Sequence, residues 1–474
     1  MSFRSTLILV RFLLTFINRR VFGRGILRSK TAKTAAIAIA LTAFVGYGLL
    51  TVVVVRQYFD AEIVEILLLS GGAATPFWVL IAYTIVRVLF LKADQLTQLT
   101  FMLPATNRER TLAFAIFEAL MVVGASLITF GAFIIAAATI SGFSIIWRAV
   151  AAIFFPTILC YLLFSIVYLG VERLVITIGA GRLRGLIIPF LFAAALVGMF
   201  TLANSQSQEM LQGYLSGQPY FIPQLGFLKI ADSAGPALAV LVFLILLLAL
   251  GTLVLVAAPK DYEPVKQHYR VLSGKLASSQ LGLHLLALVR SFETLIVLLF
   301  ATLATAGIAI LKIEIPPYVL LFVTFQGVYA FANSEPIRRA TPAVQGAVAS
   351  YLNLVTAQAI VLLVVAVPAV AVSTWLGIGI QHSALAIGFS ACNILLSTLV
   401  GILFPADNGN PFSVVVGVVL VFAIVAMVAM GLNIFSLPVA INVAVVVLLS
   451  VAVVAYSIVG INRIERIRRY EIVA

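Results

Sequence analysis

At 474 residues, 63% of them hydrophobic and 10% charged, with a mean hydropathy of +1.18, the chain has too little polar surface to cover a soluble globule. A bilayer is the solvent that suits it. The net charge of +13 is then expected to meet anionic membrane lipids or an acidic protein, and nucleic acid need not be invoked.

Within residues 1–34, Phe3, Leu7, Val10, Leu14, Ile17 and Val21 recur at helical spacing among Arg4, Arg11, Arg19 and Arg20. That pattern predicts an amphipathic helix lying in the cytoplasmic interface. Arginines interrupt the stretch and no small-residue cleavage site follows, so it does not read as a removable signal peptide. Crossing roughly 30 Å of hydrocarbon takes about 20 mostly apolar residues in a helix. Six such spans fall in a first half over 35–258, at Ala35–Val55, Ala73–Leu91, Thr111–Ile135, Ile145–Leu169, Leu186–Leu202 and Pro236–Ala258. A cytoplasmic linker with a second interfacial helix is expected over 259–293. Six more spans fall in a second half over 294–459, at Thr294–Leu311, Ile315–Ala332, Leu352–Val372, Ala384–Leu403, Phe412–Met430 and Leu437–Val459, with a basic cytoplasmic tail over 460–474. The eighth is short and opens on Pro316-Pro317; were it re-entrant, the crossings would number eleven and the C-terminus would change sides.

Charge orients the spans, because Lys and Arg are retained on the cytoplasmic side. With twelve spans and both termini inside, all but five of the 30 basic residues are cytoplasmic. Arg56, Arg148, Lys229 and Lys312 lie near the outer face and Arg87 within a span. Such asymmetry assigns the chain to the cell's inner (plasma) membrane as an all-α, multi-pass protein. Arg148 and Glu293, near span ends, are expected to snorkel to water.

Catalytic chemistry is hard to place. Cys160 and Cys392 fall within spans with no CxxC partner, and His268, His284 and His382 stand apart from one another. HExxH, GxSxG and GxxxxGK[ST] patterns are absent, so no catalytic, cofactor or metal site is expected and the chain should not hydrolyse nucleotide itself. Gly71-Gly72 and the segment from Gly179 to Gly185 read as flexible turns.

Two loops share a layout. Asp94 to Arg110 runs through a short polar helical turn to Leu103-Pro104 and then into a long apolar helix; the loop Glu335 to Gly346 runs likewise through Ile337, Arg338 and Arg339 to Pro342. Pro104 and Pro342 stand half a chain length apart, which suggests a parallel duplication. Leu96, Leu99 and Met102 should bury one face against the bundle, leaving Asp94, Gln98 and Arg108 to a partner. Read on its own, such a loop could also simply turn the chain round. The first loop, with its acidic residue, short helix, Leu103-Pro104 and terminal Glu109-Arg110, resembles the first cytoplasmic loop of type-2 ABC exporter permeases. The Arg-rich interfacial helix resembles that family's elbow helix. The resemblance implies a coupling loop at Asp94, Leu99, Met102, Leu103, Pro104, Arg108, Glu109 and Arg110, with a second at Glu335, Ile337, Arg338, Arg339 and Pro342. It also implies two cytoplasmic P-loop ATPase subunits as partners, which would bind the ATP and Mg that this chain does not. The second copy departs from the pattern, with Thr341-Pro342 in place of Leu-Pro and Gln345 in place of the basic residue.

Intramembrane charge is costly and marks function or structure. Arg87 lies about one turn above the inner end of its span and Glu118 about two turns above the start of the next, so the antiparallel pair is expected to neutralise and stiffen the hairpin carrying the loop. Glu118 could otherwise face a proton or substrate path. With little other charge at depth, hydrophobic or amphipathic cargo such as a drug, a lipid-like molecule or a peptide suits these walls. An ion-gradient-driven transporter or lipid flippase, and a non-transport scaffold or assembly factor, are the competing expectations.

Overall fold

The computed structural model describes residues 3–22, 30–87, 100, 102–103, 105–218, 220–258, 278–340, 346–404, 421, 424–425 and 439–473. Two compact units divide the chain, Met1–Pro264 and Val265–Ala474. Among the described residues every regular element is a helix, and eight helices are long and apolar enough to cross a membrane, nine if a bent pair is one span.

The first unit opens with α1 (Phe3–Phe22) and α2 (Lys30–Tyr58). Leu9, Val10 and Leu13 of α1 are buried, whereas Leu7 and Leu14 of the predicted apolar face are exposed. The helix therefore has two apolar faces, one packed on protein and one exposed. The predicted second span is a broken pair, α3 (Ala61–Ala73) and α4 (Thr75–Ile85), bent by 51°. Helix α3 starts well before the predicted Ala73 because Asp60 caps it, accepting from the Ile63 N–H at 2.9 Å, with Glu62 in the first turn. The break falls at Ala74, where Pro76 has no N–H to continue the ladder and Thr75 Oγ1 donates to the Gly71 carbonyl at 3.1 Å. Gly71 and Gly72 thus lie in a helix, not a turn. A Cβ on Gly72 would come within 2.7 Å of Leu225 Cδ2 and 2.9 Å of the Ala152 carbonyl.

Beyond the first loop run α5 (Asn107–Ser141) and α6 (Ser144–Thr177), the latter carrying a π-helical turn at Val150–Phe154 ahead of Pro156. Helix α7 (Arg184–Ser216) follows, then α8 (Gly226–Ala234) and α9 (Pro236–Ala257). The fifth predicted span overshoots its expected end at Leu202 and continues as helix to a left-handed cap at Gly217. Arg148 Nη2 sits 2.8 Å from Glu65 Oε1 and 3.7 Å from Asp232 Oδ2, tying α6 to α3 and α8.

The second unit comprises α10 (Gln280–Val289), α11 (Phe292–Leu311), α12 (Leu320–Thr324), α13 (Gln326–Asn333), α14 (Glu335–Ala340), α15 (Ala347–Trp375), α16 (Ile380–Leu403) and α17 (Val439–Val473). The predicted eighth span is therefore short and broken at Phe325, because Pro316 and Pro317 delay helix formation to Leu320. The eleventh predicted span lies almost wholly outside the described residues. Helix α17 runs on through the supposed tail, and Ile461 is fully buried against Ile402 and its neighbours.

Each unit repeats the same internal neighbours. In the first, α1 and α2 pack on α5, α4 on α6, α5 on α6 and α9 on α6. In the second, α10 and α11 pack on α15, α13 on α16, α15 on α16 and α17 on α16.

Candidate functional site

Two intramembrane charges, expected from their place in the sequence to meet, do so. Arg87 Nε lies 3.1 Å from Glu118 Oε1, and Glu118 is fully buried on α5. Aromatic groups from two further helices surround the pair. Tyr161 of α6 donates its hydroxyl to Glu118 Oε2 at 3.2 Å and is 2.9 Å from the Ala115 carbonyl. Arg87 Nε donates to the Tyr83 hydroxyl at 3.1 Å, and the guanidinium lies over the Tyr168 ring, 4.6 Å from its centroid. Tyr83 in turn packs on Tyr161 and Phe192, with centroids 5.9 and 5.7 Å away. An uncompensated charge here would be prohibitive; the cluster pairs it, hydrogen-bonds it and places it against π-faces. Composition alone hides these tyrosines, which on apolar helices look like ordinary core aromatics.

Arg87 is the last described residue before the first loop, and the cluster holds this end of the helix. The start of α5 is held separately. Thr106 caps α5 and accepts from the Glu109 N–H at 3.3 Å, while Glu109 Oε2 accepts from the Thr106 N–H at 3.1 Å, a reciprocal capping box. Arg110 Nη2 donates to the Ala105 carbonyl at 3.2 Å. Leu103 and Ala105 pack on the cluster of Leu9, Val10, Leu13, Ala113 and Phe117, which joins the exit to α1.

The candidate loop residues fall in different surroundings. Glu109 and Arg110 are buried and hold the turn, and Arg108 is exposed. Met102, expected against the bundle, is 75% exposed, because the bend at Leu103 turns Leu103 inward and leaves Met102 outside. Asp94, Leu99 and Pro104 lie outside the described residues, as do Pro342 and the side chain of Arg339. In the second loop Glu335 and Ile337 are half-buried. Arg338 folds back: Nη2 donates to the Phe331 carbonyl at 2.7 Å, Nε to Ser334 Oγ at 3.2 Å, and the guanidinium covers the Phe331 ring at 3.6 Å. It neutralises the C-terminal end of α13. Nearby His284 on α10 is buried, and burial together with the Arg338 charge pushes its imidazole down to about 4, so it stays neutral.

The second unit also contains an uncharged polar cluster that charge counting overlooks. Asn393 Nδ2 donates to Thr324 Oγ1 at 2.5 Å, Ser397 Oγ to the Thr324 carbonyl at 2.8 Å, and Gln358 Nε2 to Thr398 Oγ1 at 3.0 Å. Both polar atoms of Gln326, which is fully buried, have no hydrogen-bond partner. The signal available in the sequence was Gln, Asn, Ser and Thr recurring inside three successive predicted spans. No family model matches the sequence, and searches of curated proteins and of solved structures give no significant match.

Proposed function

We propose that this chain is the permease subunit of an ATP-driven exporter of the kind that its first cytoplasmic loop resembles, the type-2 ABC transporters. Hydrolysis would take place on two separate cytoplasmic P-loop ATPases carrying ATP and Mg, one beneath each half. The observation that supports this best is the construction of the α4–α5 hairpin. The helix ends on either side of its loop are held, by Arg87 on Glu118 before it and by the Thr106–Glu109 box after it, while Met102 in the loop and Arg108 in the first turn of α5 are exposed. A loop that passes force from a partner to two helices needs both helix ends held, because slack at either end would absorb the motion.

In this reading the chain crosses the plasma membrane twelve times with both termini cytoplasmic, the eighth crossing being completed by the turns around Pro316-Pro317. Turning that segment back would carry Arg463 and its basic neighbours outside, against the positive-inside rule. ATP-driven closure of the partners would push the loops and rock the halves, moving hydrophobic or amphipathic cargo outward. One observation favours a second reading, an ion-gradient-driven carrier or flippase: Glu118 is a fully buried carboxylate of the type a proton path uses.

Replacing Met102 with Asp separates the two. Its side chain is exposed, so folding should survive while an apolar docking contact is exchanged for a buried charge, releasing the ATPase. Leu99→Asp should act in the same way, and Ile337→Asp, in the loop that departs from the pattern, should have a smaller effect. Co-purification with the ATPase and cargo-stimulated hydrolysis report the outcome. Transport at full rate with the partner's Walker lysine replaced, or no ATPase retained in any mild detergent, would leave the carrier reading in its place.

A further inference from the structure

Arg87 is held through Nε, which lies 3.1 Å from Glu118 Oε1 and donates to the Tyr83 hydroxyl, while its guanidinium covers the Tyr168 ring. The terminal nitrogens Nη1 and Nη2 carry most of a guanidinium's donors. Among the described residues they have no acceptor, and they reach the surface of the unit, where the side chain is 19% exposed. The half-buried Tyr168 hydroxyl is likewise without a partner among the described residues and open to the surface. Depth makes these open donors costly. Glu118 stands 12 residues beyond the N-cap Thr106, roughly 18 Å along α5, and it holds the guanidinium beside it instead of letting it snorkel. Lipid tails cannot accept a hydrogen bond there.

The fold does not demand this arrangement. Arg87 stands 19 residues before the N-cap Thr106 of α5, and Gly327 stands 19 residues before the N-cap Gly346 of α15; Glu118 and Gln358 each stand 12 residues after theirs. The second unit closes the equivalent place without charge. A Cβ on Gly327 would overlap Ser397 Oγ and come within 2.9 Å of Gln358 Oε1, and one on Gly401 would come within 2.7 Å of the Val328 carbonyl. One unit therefore seals with glycine and an amide what the other leaves as an open guanidinium edge. The surroundings of that edge suit an anion. Glu172, on the same helix as Tyr168, is neutralised by Arg184 at 3.1 Å, and Arg173 beside it is exposed. Tyr83, Tyr168 and Phe192 pack on one another, with centroids 5.7 to 6.2 Å apart, and form an aromatic wall.

We infer that the open edge of Arg87 and the Tyr168 hydroxyl form a binding site for the phosphate head of an amphipathic molecule whose tail stays in the apolar surroundings. The guanidinium fork matches two phosphate oxygens, and Glu118, Tyr83 and the Tyr168 ring fix its plane beforehand. The inference rests on the exporter reading only in naming this molecule as cargo; the site itself belongs to the chain alone.

Native mass spectrometry of the full chain, released from a neutral detergent, tests it with dodecyl phosphate as the probe and dodecyl glucoside as the uncharged control. The phosphate should bind at least about tenfold more tightly than the glucoside. A basic surface also attracts anions, so variants locate the site. Tyr168→Phe keeps the ring and loses one donor, and should weaken dodecyl phosphate about tenfold without changing the melting temperature. Arg87→Lys keeps the charge facing Glu118 and loses the fork, and should weaken it by at least as much. Equal binding of phosphate and glucoside overturns the inference, and so does an undiminished phosphate affinity in Tyr168→Phe, which decides the matter should Arg87→Lys not fold. Inorganic phosphate that displaces the probe at equal concentration overturns the amphipathic ligand. No ATPase enters the assay, so loss of the partner in the docking experiment and loss of this site are separate results.

Discussion

At the scale of single residues, the arginine–glutamate pair shows how a membrane protein can keep charge at depth. Glu118 is inaccessible to solvent, Arg87 is 19% exposed, and each oxygen of the carboxylate faces a different helix. Neither member is tolerable alone. Glu118→Gln leaves the guanidinium without a counter-charge and is expected to cost about 3 kcal/mol, at the lower end for a buried pair because Arg87 keeps some access to water. Adding Arg87→Gln should recover part of the loss, as coupled partners do. Thermal unfolding in detergent measures both. A Glu118→Gln protein that unfolds normally but transports nothing would place the carboxylate on a proton or cargo route instead. The pair was legible in the sequence because two charges in consecutive antiparallel spans have few other ways to be neutralised. The tyrosine shell was not, since aromatic residues on an apolar helix suit lipid and protein equally well.

Among the elements, irregular helices meet where the packing is closest. The break between α3 and α4 and the π-helical turn at Val150–Phe154 are in contact through Gly72 and Ala152. Each irregularity frees backbone groups that must be satisfied locally, and glycine permits the approach that makes this possible. Gly72→Ala should therefore cost about 1–3 kcal/mol, since Leu225 and the Ala152 carbonyl both stand in the way of the new methyl group. Gly124→Ala, on α5 with nothing within 4 Å of its new Cβ, is the control and should be neutral or mildly stabilising. Equal melting temperatures for the two variants would mean that α3 and α6 can separate without loss.

Over the whole molecule, the distribution of basic residues makes a prediction about sidedness that is independent of any partner. Cysteine introduced at Ser207, within α7, should be labelled from outside intact cells by a membrane-impermeant reagent. Cysteine introduced at Ser273, in the basic linker between the halves, should be labelled only after permeabilisation. External labelling at residue 273 would invert the linker and dismantle the proposed pair of six-span halves. Within each unit, the helices adopt the same neighbours in the same order, an arrangement that the near absence of shared residues between the two loops only hinted at.

The sequence by itself determined that the protein is helical and apolar enough for a membrane, because span length and hydropathy are sums over neighbouring residues and the bilayer selects on those sums. It also located Arg87 and Glu118, since isolated charge in a span is conspicuous. Only the tertiary structure decided where helices start, break and end. Asp60 extends α3 backward and Pro316-Pro317 shortens the eighth segment to α12 and α13, while α7 and α17 run past their predicted limits into polar sequence that packing or capping stabilises. It alone decided that Met102 faces outward while Glu109 and Arg110 turn in, and that Gln326 lies buried and unpaired. Lipid tails are as apolar as leucine, so hydrophobic periodicity in a membrane helix cannot say which face meets protein. That choice is made by close packing and polar pairing between residues distant in the chain.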